Sequence, residues 1–164
     1  SDKTNFLNRE SIKRIFRAIF KSENFSKWKF NQTDLYLDFL AGNQSYLCNP
    51  WSTPTFNIFG WQKPCFHLAE GYYKTYEELI EKTDWKLYGN GNYEKCADCM
   101  THCGHETTAV IDTFNSPFKA LSRKLFGIKT VGPMIEEVSQ SAARPSEDVY
   151  EKVLESKIYE LDLM

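Results

Sequence analysis

The sequence predicts an α+β fold, a helix-rich domain built around one small β-hairpin that holds a four-cysteine metal site. Two observations predict the fold. Apolar residues recur at helical spacing along several stretches, and between Cys48 and Leu68 the sequence changes to prolines, aromatic residues and β-branched residues. Five cysteines within and after that region predict the metal site. The 164 residues are 41% hydrophobic, which is enough for one packed domain.

The first predicted element is an amphipathic helix near the N-terminus, and Asn8 is its expected N-cap. We expect this helix to pack on its own protein, while the alternative that it lies on a membrane surface stays open. Its apolar face consists of Ile12, Ile15, Phe16, Ile19 and Phe20, and its basic face of Lys13, Arg14, Arg17 and Lys21.

The next helix is predicted over Thr33–Ala41, where Gly42 ends it. The segments TPTFNIF and KPCFHL are expected to be the two strands of a hairpin that turns at Gly60-Trp61. Seven nearby aromatic residues are expected to pack in the core, with a pocket for a large apolar substrate as the alternative: Trp28, Phe30, Trp51, Phe56, Phe59, Trp61 and Phe66.

Helices are predicted again downstream of the hairpin. Thr75 and Glu78 form the capping box of a helix that ends near Thr83, and the glycines and asparagines of YGNGNY predict a loop over residues 88–93. The last three expected elements are a helix over Glu106–Phe114, a helix that starts at Ser116-Pro117 and ends at Gly127, and, after an irregular connection over residues 128–145, a helix capped by Ser146.

The charge is small overall but unevenly distributed. A net charge of −2 gives no reason to expect a nucleic-acid partner. Residues 1–30 contain eight Lys and Arg against three Asp and Glu, whereas residues 135–164 contain three against eight. We expect solvated helix faces of opposite sign, with packing of one face on the other or on a partner as the alternative.

The sequence contains neither a run of about 18 apolar residues nor an N-terminal signal peptide. We therefore expect a cytoplasmic protein, and leave peripheral contact with a membrane open. The odd number of cysteines, without a secretory signal, argues against disulfides and favours metal or redox chemistry. The candidate metal ligands are Cys48, Cys65, Cys96, Cys99 and Cys103.

A Cys-x2-Cys pair such as Cys96 and Cys99 can aim two sulfurs at one centre from a tight turn. Cys48 and Cys65 stand at the two ends of the predicted hairpin, which would return them to one neighbourhood. From the residues alone, a 4Fe-4S cluster, a structural zinc ion, a redox pair and buried thiols that bind nothing all remain open. A redox pair is disfavoured because no strand precedes Cys96.

The sequence shows no evident general base, and its three histidines are the remaining candidates for a role at the metal site. His67, in the predicted second strand, is expected to face away from the hairpin core, with a place beside the metal centre as the alternative. His102 and His105 flank Cys103, where they could donate hydrogen bonds to sulfur or replace a thiolate ligand.

The spacing Cys-x11-Gly-x4-Cys from Cys48 to Cys65, followed by Cys-x2-Cys, resembles the Twitch and SPASM domains of radical S-adenosylmethionine (SAM) enzymes. Those domains carry auxiliary iron–sulfur clusters. The resemblance implies that Cys48, Cys65, Cys96 and Cys99 bind one 4Fe-4S cluster. Cys103 departs from the pattern: we expect it to be a bystander beside the four ligands, with replacement of one of them as the alternative.

A longer resemblance covers most of the chain, through the segments FLNRESIKRIFRAIF, WKFNQTDLYLDFLAGNQSYLCNPWSTPTFNIFGWQKPCF, EGYYKTYEELIEKTDW, YGNGNYEKCADCMTHCGHETTAV and PFKALSRKLFGIKTVGPM. They resemble the C-terminal half of the hopanoid-biosynthesis radical SAM enzymes of the adenosylhopane synthase type. That family adds a 5′-deoxyadenosyl radical to hopene, an apolar polycyclic lipid. Its SAM cluster is bound by a Cys-x3-Cys-x2-Cys motif in a barrel domain, and that motif is absent here.

The resemblance therefore implies an auxiliary domain whose partner is the radical SAM barrel, which alone would bind SAM. We expect no turnover by this chain alone. The expected division is a helical segment leading from the barrel over residues 1–42, a cysteine-rich cluster domain over 43–127, and a linker with a C-terminal helix over 128–164. The alternative is a free-standing zinc-binding interaction module without catalysis.

Overall fold

The computed structural model describes residues 7–136, and this part of the chain is an α+β fold, as predicted. It contains five α-helices and one antiparallel sheet of three short strands. The helices are α1 (Arg9–Lys21), α2 (Asp34–Leu40), α3 (Tyr76–Lys82), α4 (His102–Asn115) and α5 (Pro117–Phe126), and the strands are β1 (Thr55–Asn57), β2 (Gly60–Lys63) and β3 (Gly71–Tyr73).

Local capping sets the starts of three helices, and the caps predicted at Asn8 and at Thr75 with Glu78 are confirmed, whereas Ser116 makes no side-chain cap hydrogen bond before α5. The Asn8 side chain accepts a hydrogen bond from the backbone N–H of Ser11 at 2.8 Å. Thr33 caps α2 in the same way, and Thr75 with Glu78 forms the capping box of α3. Because each of these bonds joins residues three apart in the chain, the sequence alone is sufficient to predict it.

The core lies around α2, which packs against α1, α4 and α5. Residues 35–40 of α2 are all buried, and the apolar core around them includes Phe20, Leu35, Leu37, Phe39, Leu40, Met100 and Ala109. Asp38 is also fully buried. Its carboxylate accepts hydrogen bonds from Asn43 and Gln44 and lies 3.3 Å from Arg123 of α5, so its charge is compensated.

The basic face predicted for α1 is only partly solvated. Ile12, Phe16, Ile19 and Phe20 pack on the core, which confirms that the helix packs on its own protein. The expectation of a solvated charged face is wrong for Lys13, which is buried, and for Arg17, whose guanidinium donates to the backbone of Ala41 at 2.7 Å. Within the described residues, no helix is long and apolar enough to cross a membrane.

The predicted hairpin exists, but its turn and second strand were wrong. β1 pairs with β2 through Asn57 and Gly60, so the turn falls at Ile58-Phe59 rather than at Gly60-Trp61. β2 is the segment GWQK, so of the predicted strand KPCFHL only Lys63 belongs to it. β3 pairs with the other edge of β2. A Cβ at Gly60 would lie 2.4 Å from the carbonyl oxygen of Tyr73. The glycine is therefore required by the approach of β3, a contact that local sequence does not reveal.

The core packing predicted for the seven aromatic residues is also wrong for five of them. Trp51 and Trp61 are half-buried, whereas the other five are exposed: Trp28, Phe30, Phe56, Phe59 and Phe66. The short sheet packs against α3, and Phe56 and Phe59 stack on Trp61 and Tyr72 beside it. Trp28 and Phe30 lie before α2 and stack on each other.

Helix α4 begins at His102, four residues before the predicted start, and therefore includes Cys103 in its first turn. Helix α5 starts at Pro117 after Ser116 and ends at Gly127, as predicted. Residues 128–136 contain neither helix nor strand. The remainder of the predicted connection and the helix expected after Ser146 lie outside the described residues.

Candidate metal centre

All five cysteines line one cavity of about 580 Å³. They come from three separate parts of the chain. Cys48 follows α2, Cys65 follows β2, and the remaining three, Cys96, Cys99 and Cys103, lie in the loop before α4 and in its first turn. Each is a half-buried thiol. The fold thus brings together the two groups of cysteines that the sequence separates by about thirty residues.

Cys48 packs directly against the start of α4. A Cβ at Gly104, the third residue of α4, would lie 2.4 Å from the Cys48 sulfur, so only glycine leaves room for this thiol. The backbone N–H of Asn49 donates to the Gly104 carbonyl at 2.5 Å and holds the two segments together. The sequence analysis missed Gly104, although a glycine inside a helical pattern often has such a packing reason.

Cys96 and Cys99 are placed by a tight turn. Cys96 ends a short 3-10 turn, and the N–H of Cys99 donates to the Cys96 carbonyl at 3.1 Å. The hydroxyl of Thr101 lies 3.1 Å from the Cys99 sulfur and 3.3 Å from the Cys103 sulfur. Cys103 therefore belongs to the same thiol group as the Cys-x2-Cys pair, and Thr101 bridges them.

Residues 99–101, here named the strap, are held by three helices at once. The strap's three successive carbonyls each meet a different side chain: Arg9 of α1 donates to Cys99, Tyr36 of α2 donates to Met100 at 3.0 Å, and His105 Nδ1 of α4 lies 3.1 Å from Thr101. Burial raises the pKa of Tyr36 well above its ordinary value, so its hydroxyl remains a donor. Arg9 and Tyr36 carry no metal-site motif, and the sequence analysis missed both.

The three histidines all line the cavity, at different depths. His105 is fully buried, and its ring stacks on Phe39 with centroids 4.9 Å apart. His102 is the first residue of α4. His67 lies in a turn after β2, so its predicted place in a strand was wrong. Whether any histidine contacts a metal centre stays a prediction.

Glu70 links the Cys65 side of the cavity to the segment before Cys96. Its carboxylate accepts hydrogen bonds from the hydroxyls of Tyr88 and Tyr93 and from the Lys95 ammonium, the last at 2.7 Å. Burial alone would raise the pKa of Glu70, but these hydrogen bonds outweigh it and hold the pKa below its ordinary value.

Burial makes the anionic form of three of the cysteines unfavourable. It raises the pKa of Cys48 far above its ordinary value, and the neighbouring thiols raise that pKa further. Burial also raises the pKa of Cys65, and it raises that of Cys96 to about 11. These three thiols are therefore protonated near neutral pH, and a metal that binds them must displace protons.

The donor set fits a thiophilic metal by its chemistry. Thiolates are the ligands of iron–sulfur clusters and of structural zinc, and these five surround one space. Among residues 7–136, no three His, Cys, Asp or Glu side chains are close enough together to hold a single metal ion. The four-ligand site therefore stays a prediction, while the convergence of its candidate ligands is a feature of the fold.

Residues 1–123 match the family described as Domain of unknown function (DUF3463), and the chain belongs to that family. The match includes all five cysteines, the strap and most of α5. Searches of curated proteins and of solved structures found no match.

Proposed function

We propose that this DUF3463 domain binds an iron–sulfur cluster and serves as the C-terminal auxiliary domain of a radical SAM enzyme that resembles adenosylhopane synthase. The observation that supports metal binding is the convergence of five half-buried thiols, from three segments, on one cavity. The sequence resemblance supports the parent enzyme. Its reaction, the addition of the 5′-deoxyadenosyl radical to hopene, belongs in this proposal to the partner barrel, which also binds SAM.

The sequence resemblance favours a cluster over zinc, because the Twitch and SPASM domains carry iron–sulfur clusters. Structural zinc and iron–sulfur clusters both take thiolate ligands, so the five cysteines that line the cavity suit either metal by their chemistry. A zinc site would need four donors from this set, with sulfur about 2.3 Å from the metal.

Each part of the site then has a role. By the resemblance, Cys48, Cys65, Cys96 and Cys99 supply the four thiolates. A bound cluster would supply a redox centre or a structural cross-link between the segments. Thr101 lies within reach of two sulfurs and would hydrogen-bond to them, and such bonds orient ligands and tune a metal centre. Cys103 is the fifth thiol of the group.

Anaerobic reconstitution with iron and sulfide tests the proposal. We expect broad visible absorption and about four irons per chain, because that is the composition of a cubane cluster. Cys96→Ser should reduce the iron content severely. Tyr46→Phe removes a part-buried tyrosine hydroxyl that donates to Asp112 outside the cavity, and it should leave the iron content unchanged.

A colourless protein that retains one zinc ion per chain would reject the cluster and favour the free-standing zinc module. If Cys96→Ser retains the iron or zinc content of the unaltered chain, the cavity is not the metal site. The second test mixes this domain with a separately produced radical SAM barrel and measures whether the two bind. The proposal expects a complex, and a domain that does not bind the barrel would contradict it.

A further inference from the structure

Helix α5 presents its large apolar side chains to solvent, while two of its charged side chains, Lys119 and Arg123, pair with carboxylates of the protein. Lys119 pairs with Asp112 at 2.5 Å, and Arg123 lies 3.3 Å from the buried Asp38. On the opposite side, the exposed fractions are 87% for Phe118, 50% for Leu121 and 68% for Leu125. A surface helix ordinarily has the reverse orientation, so this one has an unpartnered apolar face.

The exposed surface extends beyond the helix interior. Positions 118, 121 and 125 share one helical face by their spacing. Phe114, at the end of α4, is 80% exposed, and Phe126, the last residue of α5, is 84% exposed. We name these five residues the α5 face. None of them lines the cysteine cavity in the described part of the chain, so the metal centre does not account for their exposure.

The charge around the α5 face is positive. Helix α5 contains Lys119, Arg123 and Lys124 but no Asp or Glu, and Lys124 and the following Lys129 are exposed. Clustered exposed apolar side chains indicate an interaction site. The matching partner is therefore an apolar surface with acidic borders.

We propose that the α5 face is covered by the chain's own C-terminal segment, residues 146–161. That segment has the matching chemistry in its sequence. Its apolar residues recur at helical spacing, and residues 135–164 contain eight Asp and Glu against three Lys and Arg. The apolar positions are Val149, Val153, Leu154, Ile158 and Leu161.

The last described residues are held beside the end of α2, the helix that packs on α5. The backbone N–H of Ile135 donates to the Gly42 carbonyl at 2.8 Å, and Gly42 follows α2, which packs on α5. Residues 137–145 can span about 30 Å when extended, whereas the ten-residue α5 is about 15 Å long. The connection is therefore long enough, and covalent linkage gives the segment a high effective concentration at the face. This docking does not depend on the metal proposal.

Limited proteolysis of the full chain tests the docking, because Lys152 and Lys157 are tryptic sites inside the segment. Leu125→Asp places a charge on the α5 face without disturbing the core, since Leu125 is already 68% exposed. We expect cleavage at the two lysines to become about tenfold faster, because proteolysis follows the population of the undocked segment. The matched control is Ile58→Asp on the hairpin turn, where the side chain is 93% exposed and the rate should not change.

A change on the other side of the contact completes the test. Val149→Asp, which is adjacent to neither tryptic lysine, should accelerate cleavage as much as Leu125→Asp, and the double variant should be no faster than either, because both break one contact. Equal cleavage rates in the unaltered chain and in Leu125→Asp would overturn the proposal. The proposal would also be overturned if the unaltered chain forms a dimer, or sediments with phosphatidylserine vesicles, and Leu125→Asp abolishes that behaviour. A second copy or a membrane would then occupy the α5 face.

Discussion

The two sides of the cysteine cavity are held in different ways. The helical wall, residues 96–105, is tied to α1 and α2 by two hydrogen bonds to the strap, a part-buried one from Arg9 and a buried one from Tyr36. The sheet wall, residues 62–70, positions Cys65 through the Gln62 amide, which donates to its carbonyl at 2.9 Å, and through the partly exposed Glu70 cluster. Buried bonds leave costly unsatisfied groups when broken, whereas exposed ion pairs contribute little. The helical wall should therefore dominate the stability of the site.

The largest effect is expected for Gly104→Ala on the helical wall. Helix propensity alone would make alanine about 1 kcal/mol more favourable in α4. The new Cβ would lie 2.4 Å from the Cys48 sulfur, so we expect instead a net loss of roughly 1–3 kcal/mol from overpacking, together with loss of iron uptake. Urea unfolding measures the first and iron analysis the second. A more stable Gly104→Ala domain would contradict the close approach of Cys48.

Tyr36→Phe should have the next largest effect, because it leaves the Met100 carbonyl of the strap without its buried donor. We expect a stability loss of about 1–2 kcal/mol. Metal affinity should also fall about 10- to 100-fold, as for other groups that orient metal ligands. Tyr46→Phe is the matched control, expected to lose similar stability without losing affinity. If both variants lose affinity equally, the strap has no specific role.

The pH dependence of the free energy of unfolding tests the contacts of Asp112 in α4, which pairs with Lys119 and Tyr46 outside the cavity. Burial alone would raise the pKa of Asp112, but hydrogen bonds from Lys119 and Tyr46 outweigh it and hold the folded-state pKa below its ordinary value. The resulting stabilisation is present above the unfolded-state pKa, near 4, and is lost as pH falls through the folded-state pKa. We expect Asp112→Asn to cost about 0.5–1 kcal/mol at pH 7 and progressively less as the pH falls through the folded-state pKa. A cost that stays constant with pH would exclude the ionised carboxylate.

The smallest effect is expected on the sheet wall, for Glu70→Gln. Its side chain is 21% exposed and that of its partner Lys95 is 48% exposed, so solvent weakens the pair. We expect a stability change below about 1 kcal/mol, measured by urea unfolding, and unchanged iron content. A loss as large as that of Tyr36→Phe would remove the distinction between the two walls.

Local chemistry made much of the fold predictable. Asn8, Thr33 and the Thr75 capping box mark helix starts because their bonds join residues three apart, and Gly127 ends α5 where a positive φ of 72° is required. The sequence was sufficient to locate the hairpin but not to predict its turn and strand register. The turn lies at Ile58-Phe59, which carries no glycine turn signal, whereas Gly60 is required by the approach of β3, a strand that begins eight positions after the end of β2.

For the candidate site, the sequence by itself determined the donor set: five cysteines in two groups, with one Cys-x2-Cys turn. Only the tertiary structure decided that Cys103 joins the others through Thr101, that Gly104 makes room for Cys48, and that Arg9 and Tyr36 hold the strap. The physical reason is range. Caps and turns are bonds between near neighbours, whereas the cavity, the outward face of α5 and the buried cations of α1 result from packing between segments far apart in the chain.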